Sequence, residues 1–188
     1  MILIGIGANI PSSFGPPRAT CGAALAALSR AGVDVVACSP WWRTAPVPVS
    51  DQPWFVNAVA AVATELPPTG LLAVLLRIES AFGRVRGQAN ADRLLDLDLL
   101  DYHGTIGLVE ERGIALTLPH PRLHERAFVV LPLLEIDPGW RHPATGHTAE
   151  HLAGSLPPGQ AAFRMPSAGG LFGTEWEQKG TLPEIRSE

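Results

Sequence analysis

Residues 2–8 form an apolar run ending in Gly7-Ala8-Asn9, which reads as a buried strand running into a loop. Pro11, Gly15, Pro16 and Pro17 keep that loop irregular. Residues 18–31 are rich in Ala and Leu, with Gly22 the one internal breaker and Gly32 a stop, and this predicts a helix. β-branched and aromatic residues dominate 33–44 and predict one long strand. Pro46, Pro48, Ser50, Asp51 and Pro53 then make a loop that cannot pair regularly. Alternation resumes over 55–66 as the next strand. Pro67-Pro68-Thr69 opens a second helix over 70–82, with proline where a first turn tolerates it. A Gly- and Arg-bearing loop covers 83–93, and 94–102 is a strand with charges at alternate positions.

That order, β-α-β-β-α-β, predicts an α+β fold: a ferredoxin-like antiparallel sheet backed by two helices, with C-terminal additions. Downstream, 116–121 looks extended, 127–136 is apolar and helical despite Pro132, and 147–156 is a short helix candidate. From Pro157 onward Gly, Pro and Ser are frequent and no period is visible, so the expectation is a single domain over 1–156 and a tail over 157–188.

Composition narrows the class. A chain of 188 residues with 46% hydrophobic and 17% charged residues builds one buried core, not a disordered segment. A net charge of −4 argues against nucleic acid as the partner, so an anionic ligand must be met by a local basic cluster. Cys21 and Cys38 lie in unrelated segments, which fits a reducing compartment and neither a disulfide framework nor a zinc knuckle. The N-terminus lacks the pattern of a signal peptide and no segment is apolar enough to span a membrane, so a cytoplasmic protein acting on small molecules is expected. Oligomeric state is not fixed by these features; a monomer is favoured.

The sharpest chemical feature is Asp96-Leu97-Asp98. Residues two apart on a strand project to one face, about 7 Å apart, and two hard oxygen anions there suit magnesium together with nucleotide phosphates. A solvent-facing polar edge reads equally well from these residues alone. Arg84, Arg86 and Arg93 precede that strand, as a polyphosphate clamp would require; a solvated loop that merely balances Asp92, Asp96 and Asp98 is the bland alternative. Glu79 either joins this site or caps a solvated face. Phe55 and Asn57 share a strand face and suit a flat heterocycle with mixed donor and acceptor edges, although a core aromatic with a turn Asn is the simpler account. Phe128, close behind Arg126, offers a second aromatic plane with the same alternative. Gly5-Ile6-Gly7 fails as a dinucleotide fingerprint because the third glycine is missing and Pro11 follows. The pairs His120/His124 and His147/His151 have zinc-pair spacing without the expected Glu.

In order along the chain, Gly7-Ala8-Asn9, Ser39-Pro40-Trp41-Trp42-Arg43-Thr44-Ala45-Pro46 and Asp51-Gln52-Pro53-Trp54-Phe55-Val56-Asn57-Ala58 are followed by Ile78-Glu79 and Gly83-Arg84-Val85-Arg86. Then come Arg93-Leu94-Leu95-Asp96-Leu97-Asp98-Leu99-Leu100, Leu118-Pro119-His120-Pro121, Glu125-Arg126-Ala127-Phe128 and Pro132-Leu133-Leu134-Glu135-Ile136. The series resembles the 6-hydroxymethyl-7,8-dihydropterin pyrophosphokinase family of folate synthesis over about three quarters of the chain. The resemblance implies transfer of pyrophosphate from ATP to the pterin hydroxymethyl group, giving AMP and the pterin diphosphate. It implies two Mg2+ ions on Asp96 and Asp98, and stabilisation of the transferring group by Arg84, Arg93 and Arg126, with Arg86 on a closing loop. It further implies a pterin site of Thr44, Phe55, Asn57 and Phe128, and ATP contacts from Glu79, Thr117 and His120. Asn90-Ala91-Asp92 stands where the family usually has Trp-Gly-Pro, and Ala115 where an Arg is frequent. Two rivals are a DxD transferase using a nucleotide sugar and a ferredoxin-like binding module with impaired catalysis.

Overall fold

In a computed structural model, which describes residues 1–84, 93–177, 182, 183 and 185, the N-terminal apolar run becomes strand β1 (Ile2–Ala8), an inner strand of a six-stranded sheet. Helix α1 (Pro17–Arg30) begins with proline in its first turn and ends at Gly32, which takes φ +76°, a conformation that costs glycine little. Strands β2 (Asp34–Cys38), β3 (Trp42–Thr44) and β4 (Phe55–Ala63) follow, then helix α2 (Pro68–Ala81) and strand β5 (Asp96–Tyr102). The sheet runs β5-β1-β4-β3, with β2 also paired to β4, and β1 is antiparallel to both its neighbours. This is the expected ferredoxin-like arrangement.

Period-two alternation sorts the side chains onto two faces. Ile2, Ile4, Ile6 and Ala8 of β1, with Ala58 and Ala60 of β4 and Leu97 and Leu99 of β5, pack against the buried stripes of α1 and α2 in the larger core. Leu3, Val59, Ala61 and Leu100 face the other way, under helices α3 (Ala127–Ile136) and α4 (Ala149–Gly154). These two helices cover only one end of that second face. Asn57, Asp96 and Asp98 lie on the part of the face left beyond them.

Three expectations change. The long strand over 33–44 is two strands, because Pro40 has no N–H for the ladder and Ser39 takes over locally. The Ser39 hydroxyl accepts the Val59 N–H at 3.1 Å and donates to the Pro40 carbonyl at 2.8 Å. The extended stretch near 116–121 belongs to a hairpin of β6 (Gly107–Glu111) and β7 (Ile114–Leu118), whose turn residues Arg112 and Gly113 both have positive φ (51° and 76°), as primed turns require. The stretch after Pro157 is not a bare tail. Strand β8 (Ala162–Arg164) pairs with β3, and Thr174 and Trp176 are buried against α1 at Gly22, where a Cβ would lie 2.2 Å from the Thr174 hydroxyl oxygen. Its anchors follow no period, which is why the sequence pattern does not announce them. Among the described residues no helix is long and apolar enough to cross a membrane.

Candidate active site

The uncovered end of the second sheet face is a cleft of about 390 Å³. Its floor is set by register. Gly7 lies opposite Asn57 of β4 on one side and Asp96 of β5 on the other, and Gly5 lies opposite Asp98. Directly paired residues project to one face, so Asn57, Asp96 and Asp98 rise together around two positions that have no side chain. A Cβ on Gly7 would sit 2.3 Å from the Asn57 Oδ1, so this glycine makes the space into which Asn57 folds. The Gly5-Ile6-Gly7 run that failed as a nucleotide fingerprint has this different use.

At one end of the cleft the charges concentrate. Asp96 is held by two guanidinium groups: Arg84 Nη1 donates to Oδ1 at 2.8 Å, and Arg93 donates to Oδ2. Asp98 Oδ2 is 3.4 Å from Arg126 Nη1, and Arg126 in turn lies 5.3 Å over the Phe128 ring. Burial raises the Asp98 carboxyl above its ordinary range, and the Asp96 charge adds to the rise; His120, Arg126 and Arg93 oppose it. Burial also lowers Arg126 from its usual value. A divalent cation beside Asp98 would relieve the cost of its buried charge. Among the described residues no group of three or more His, Cys, Asp or Glu could hold a metal. Asp96 and Asp98 could hold a hard cation such as magnesium, whose shell water and phosphate oxygens would complete.

At the other end lie Thr44, Phe55, Asn57 and Phe128, with the loop from Ala45 to Ser50 and Gln52 as the outer rim. Asn57 is only 8% exposed, and its amide nitrogen donates to the Thr44 hydroxyl at 2.7 Å, so the amide is fixed in orientation before any ligand arrives. The resulting cleft has a flat, mixed polar and aromatic half and a cationic half.

Nine of the residues expected from the sequence line this one cleft: Thr44, Phe55, Asn57, Arg84, Arg93, Asp96, Asp98, Arg126 and Phe128. Glu79 does not cap a solvated face; it is 1% exposed beneath the cleft, where it accepts the Leu97 N–H at 2.8 Å and an Arg84 N–H. Burial pushes its carboxyl up to about 7. Thr117 is exposed on β7, and neither it nor His120 is among the described lining residues, although His120 is close enough to influence Asp98. Burial lowers the His120 imidazole. Arg86, and the Asn90-Ala91-Asp92 departure, fall outside the described residues.

Sequence reasoning gave no role to Asn9, Gln52 or Arg122. Arg122 adds a further cation to the lining. Asn9 ties two loops together: its Oδ1 accepts the Arg93 N–H at 2.6 Å, and its Nδ2 donates to the Pro53 carbonyl at 3.2 Å. A polar residue straight after a buried strand, two positions past a glycine that opposes the site, is the signal that could have found it.

The chain has relatives among known proteins. The sequence model of the 7,8-dihydro-6-hydroxymethylpterin-pyrophosphokinase family matches residues 3–138. A 2-amino-4-hydroxy-6-hydroxymethyldihydropteridine pyrophosphokinase of Methylorubrum extorquens is 45% identical over 136 residues, covering 72% of this chain and 81% of the relative. The protein of the same name from Pseudomonas aeruginosa is 38% identical over 168 residues, 89% of this chain and 98% of that one. Among solved structures, a Plasmodium falciparum HPPK-DHPS triple mutant matches with a TM-score of 0.64 at 11% identity, a likeness of fold that covers 82% of this chain and 44% of the longer one.

Proposed function

The chain belongs to the 7,8-dihydro-6-hydroxymethylpterin-pyrophosphokinase family, and on that footing we propose that its cleft transfers pyrophosphate from ATP to the hydroxymethyl group of 6-hydroxymethyl-7,8-dihydropterin, releasing AMP. The observation that carries this reading is the pairing of Asp96 and Asp98 on one face with Arg84, Arg93 and Arg126 on their oxygens, next to the Asn57–Thr44 pair.

The chemistry asks little covalent work of the protein. Phosphoryl-type transfer depends on alignment and on spreading charge, so the acceptor hydroxyl needs a fixed place more than a strong base. Phe55 and Phe128 supply faces for the pterin ring, and the Asn57 amide and Thr44 hydroxyl supply hydrogen-bonding edges already locked to each other. A ring held there would direct its hydroxymethyl arm toward the carboxylate pair. Arg84 and Arg93, now neutralising Asp96, can redirect N–H donors to phosphate oxygens once the carboxylates are otherwise satisfied. Arg126 sits at the junction of the two halves, against Asp98 and over Phe128, where it meets the group in transit. Asp96 and Asp98 would hold two magnesium ions, which when bound neutralise phosphate charge and make the transferred phosphorus more electrophilic. Glu79 acts from below, fixing Arg84 and the backbone of Leu97 between the two Asp residues. Two unpaired cysteines fit a cytoplasmic setting; Cys21 is buried, and burial lifts the Cys38 thiol to about 12, so both stay protonated and inert.

The direct test is AMP release from ATP on addition of hydroxymethyldihydropterin and magnesium. Wild-type protein should release AMP only with all three present. Asp96→Ala should release none while melting normally; full activity in that variant would remove the metal assignment.

A further inference from the structure

Residues after 138 lie beyond the match to the family's sequence model, yet a short run of them touches both walls of the cleft. One wall is the start of α3. The first N–H groups of a helix have no partners within it, and Arg126, the residue before the first turn, provides no side-chain cap. Gln160, in the loop between α4 and β8, takes that place. Its Oε1 accepts the Ala127 N–H at 2.9 Å, and its Nε2 donates to the Glu125 carbonyl at 2.7 Å. One planar amide thus grips the backbone on either side of Arg126. The Arg126 carbonyl itself accepts the Val130 N–H at 2.9 Å, so this residue is tied before, at and after its own position. The side chain projecting from that fixed backbone is the one that meets Asp98 and lies over Phe128.

The same run then reaches the opposite wall. The Ala161 carbonyl accepts the Ala45 N–H at 2.9 Å, and Ala162 pairs with Thr44. Gln160 is therefore at the point where the C-terminal segment joins the Arg126–Phe128 wall to the Thr44 wall. Shape alone would not need this amide: an apolar residue could fill the same loop position without bonding either backbone group.

We infer that Gln160 is a positioning residue for the transfer, holding Arg126 and Phe128 at the angle that the acceptor requires. The inference rests on the reading of Arg126 and Phe128 given under Proposed function. Gln160→Met keeps the length of the side chain and removes both polar groups. It should lower kcat/KM for the pterin about tenfold while the ATP KM stays within about twofold, because misplacing Phe128 and the guanidinium that meets the group in transit is costly, whereas Arg84 and Arg93 still hold the nucleotide phosphates. Gln160→Glu keeps the acceptor for Ala127 N–H but sets a carboxylate oxygen against the Glu125 carbonyl, so it should lose pterin turnover as Gln160→Met does. Thr174→Ala, in the portion buried on α1, serves as the stability control: it should lower the melting temperature without a selective change in pterin kinetics. The inference is overturned if Gln160→Met turns over pterin like wild type. It is equally overturned if its pterin and ATP parameters decline together in the manner of Thr174→Ala. A wild-type protein without pterin-dependent AMP release would overturn the functional reading and this inference with it; an active wild type beside an unaffected Gln160→Met overturns the inference alone.

Discussion

Adding one methyl group to Gly7 tests how the floor of the cleft is built. The new Cβ would lie 2.3 Å from Asn57 Oδ1, well inside any real contact, whereas the strand backbone itself has no positive φ that would strain an alanine. The amide must give way, and it is poorly placed to do so: it is 8% exposed and donates to Thr44 at 2.7 Å. Losing that buried hydrogen bond costs about 1 kcal/mol. Holding Asn57 off its rotamer costs about another 1 kcal/mol. Against this, alanine restricts the unfolded chain and returns about 0.5 kcal/mol. The net destabilisation is about 1–2 kcal/mol, or roughly a 3–6 °C fall in melting temperature for a chain of this size. The kinetic effect should be larger and selective if the displaced amide holds the pterin as proposed: kcat/KM for the pterin should fall about 10²-fold with little change in the ATP KM. Gly5→Ala is the matched comparison, because its Cβ would meet only Leu100 side-chain carbons at 3.5 Å, an ordinary contact. Its melting temperature should hold or rise. The account fails if Gly7→Ala melts and turns over like wild type, or if both glycine variants lose stability equally.

Other outcomes follow from the same geometry. Asp98→Asn should cut turnover by at least about 10²-fold without loss of stability, since burial already disfavours the charge it removes; a stable, fully active variant would contradict this. The Glu79 carboxyl, raised from 4.5 to about 7, binds its proton more tightly in the folded than in the unfolded chain. Its contribution to stability is thus complete below about pH 4.5 and is lost as pH rises through about 7, up to about 3 kcal/mol in all. Glu79→Gln, which keeps an acceptor for Leu97 N–H, should flatten that decline in urea melts run across this range; a wild-type and variant gap that does not change with pH would refute the assignment. Gly22→Ala places a Cβ 2.2 Å from Thr174 Oγ1 and 2.7 Å from Trp176 Cβ, so residues 165–177 should become faster to cleave in limited proteolysis, at a cost of about 1–3 kcal/mol. Unchanged cleavage would mean that this segment is not seated on α1.

Much of the sheet is legible because both its faces are packed: the nearly continuous apolar runs of 2–8 and 55–63 are what two cores demand, and 96–102 interrupts its run with Asp96 and Asp98, which face the cleft. The same logic lets Asp96 and Asp98 be seen as a pair. What pattern does not carry is which part of a face stays uncovered, and that is decided by where α3 and α4 end. Residues joined to the site through loops were therefore missed: Asn9, Gln52, Arg122 and Gln160 have no periodic neighbours, and only tertiary closure gives them partners. Glu79 stayed between two readings for a different reason. It follows Leu71 and Leu75 at intervals of four, the buried stripe of α2, but a carboxylate on such a stripe is discounted until its partners, Leu97 N–H and Arg84, are visible. The break at Pro40 and the tight turn at Arg112-Gly113 were readable in principle, since both rest on local backbone chemistry.

The most direct measurement is a crystal structure of this protein with magnesium, a non-hydrolysable ATP analogue and hydroxymethyldihydropterin. The account predicts cation density between the Asp96 and Asp98 carboxylates and the phosphate chain, guanidinium groups of Arg84, Arg93 and Arg126 on phosphate oxygens, and the pterin ring bonded by Asn57 and Thr44. A triphosphate bound elsewhere on the sheet, or a cation that leaves both carboxylates paired only with arginine, would contradict it.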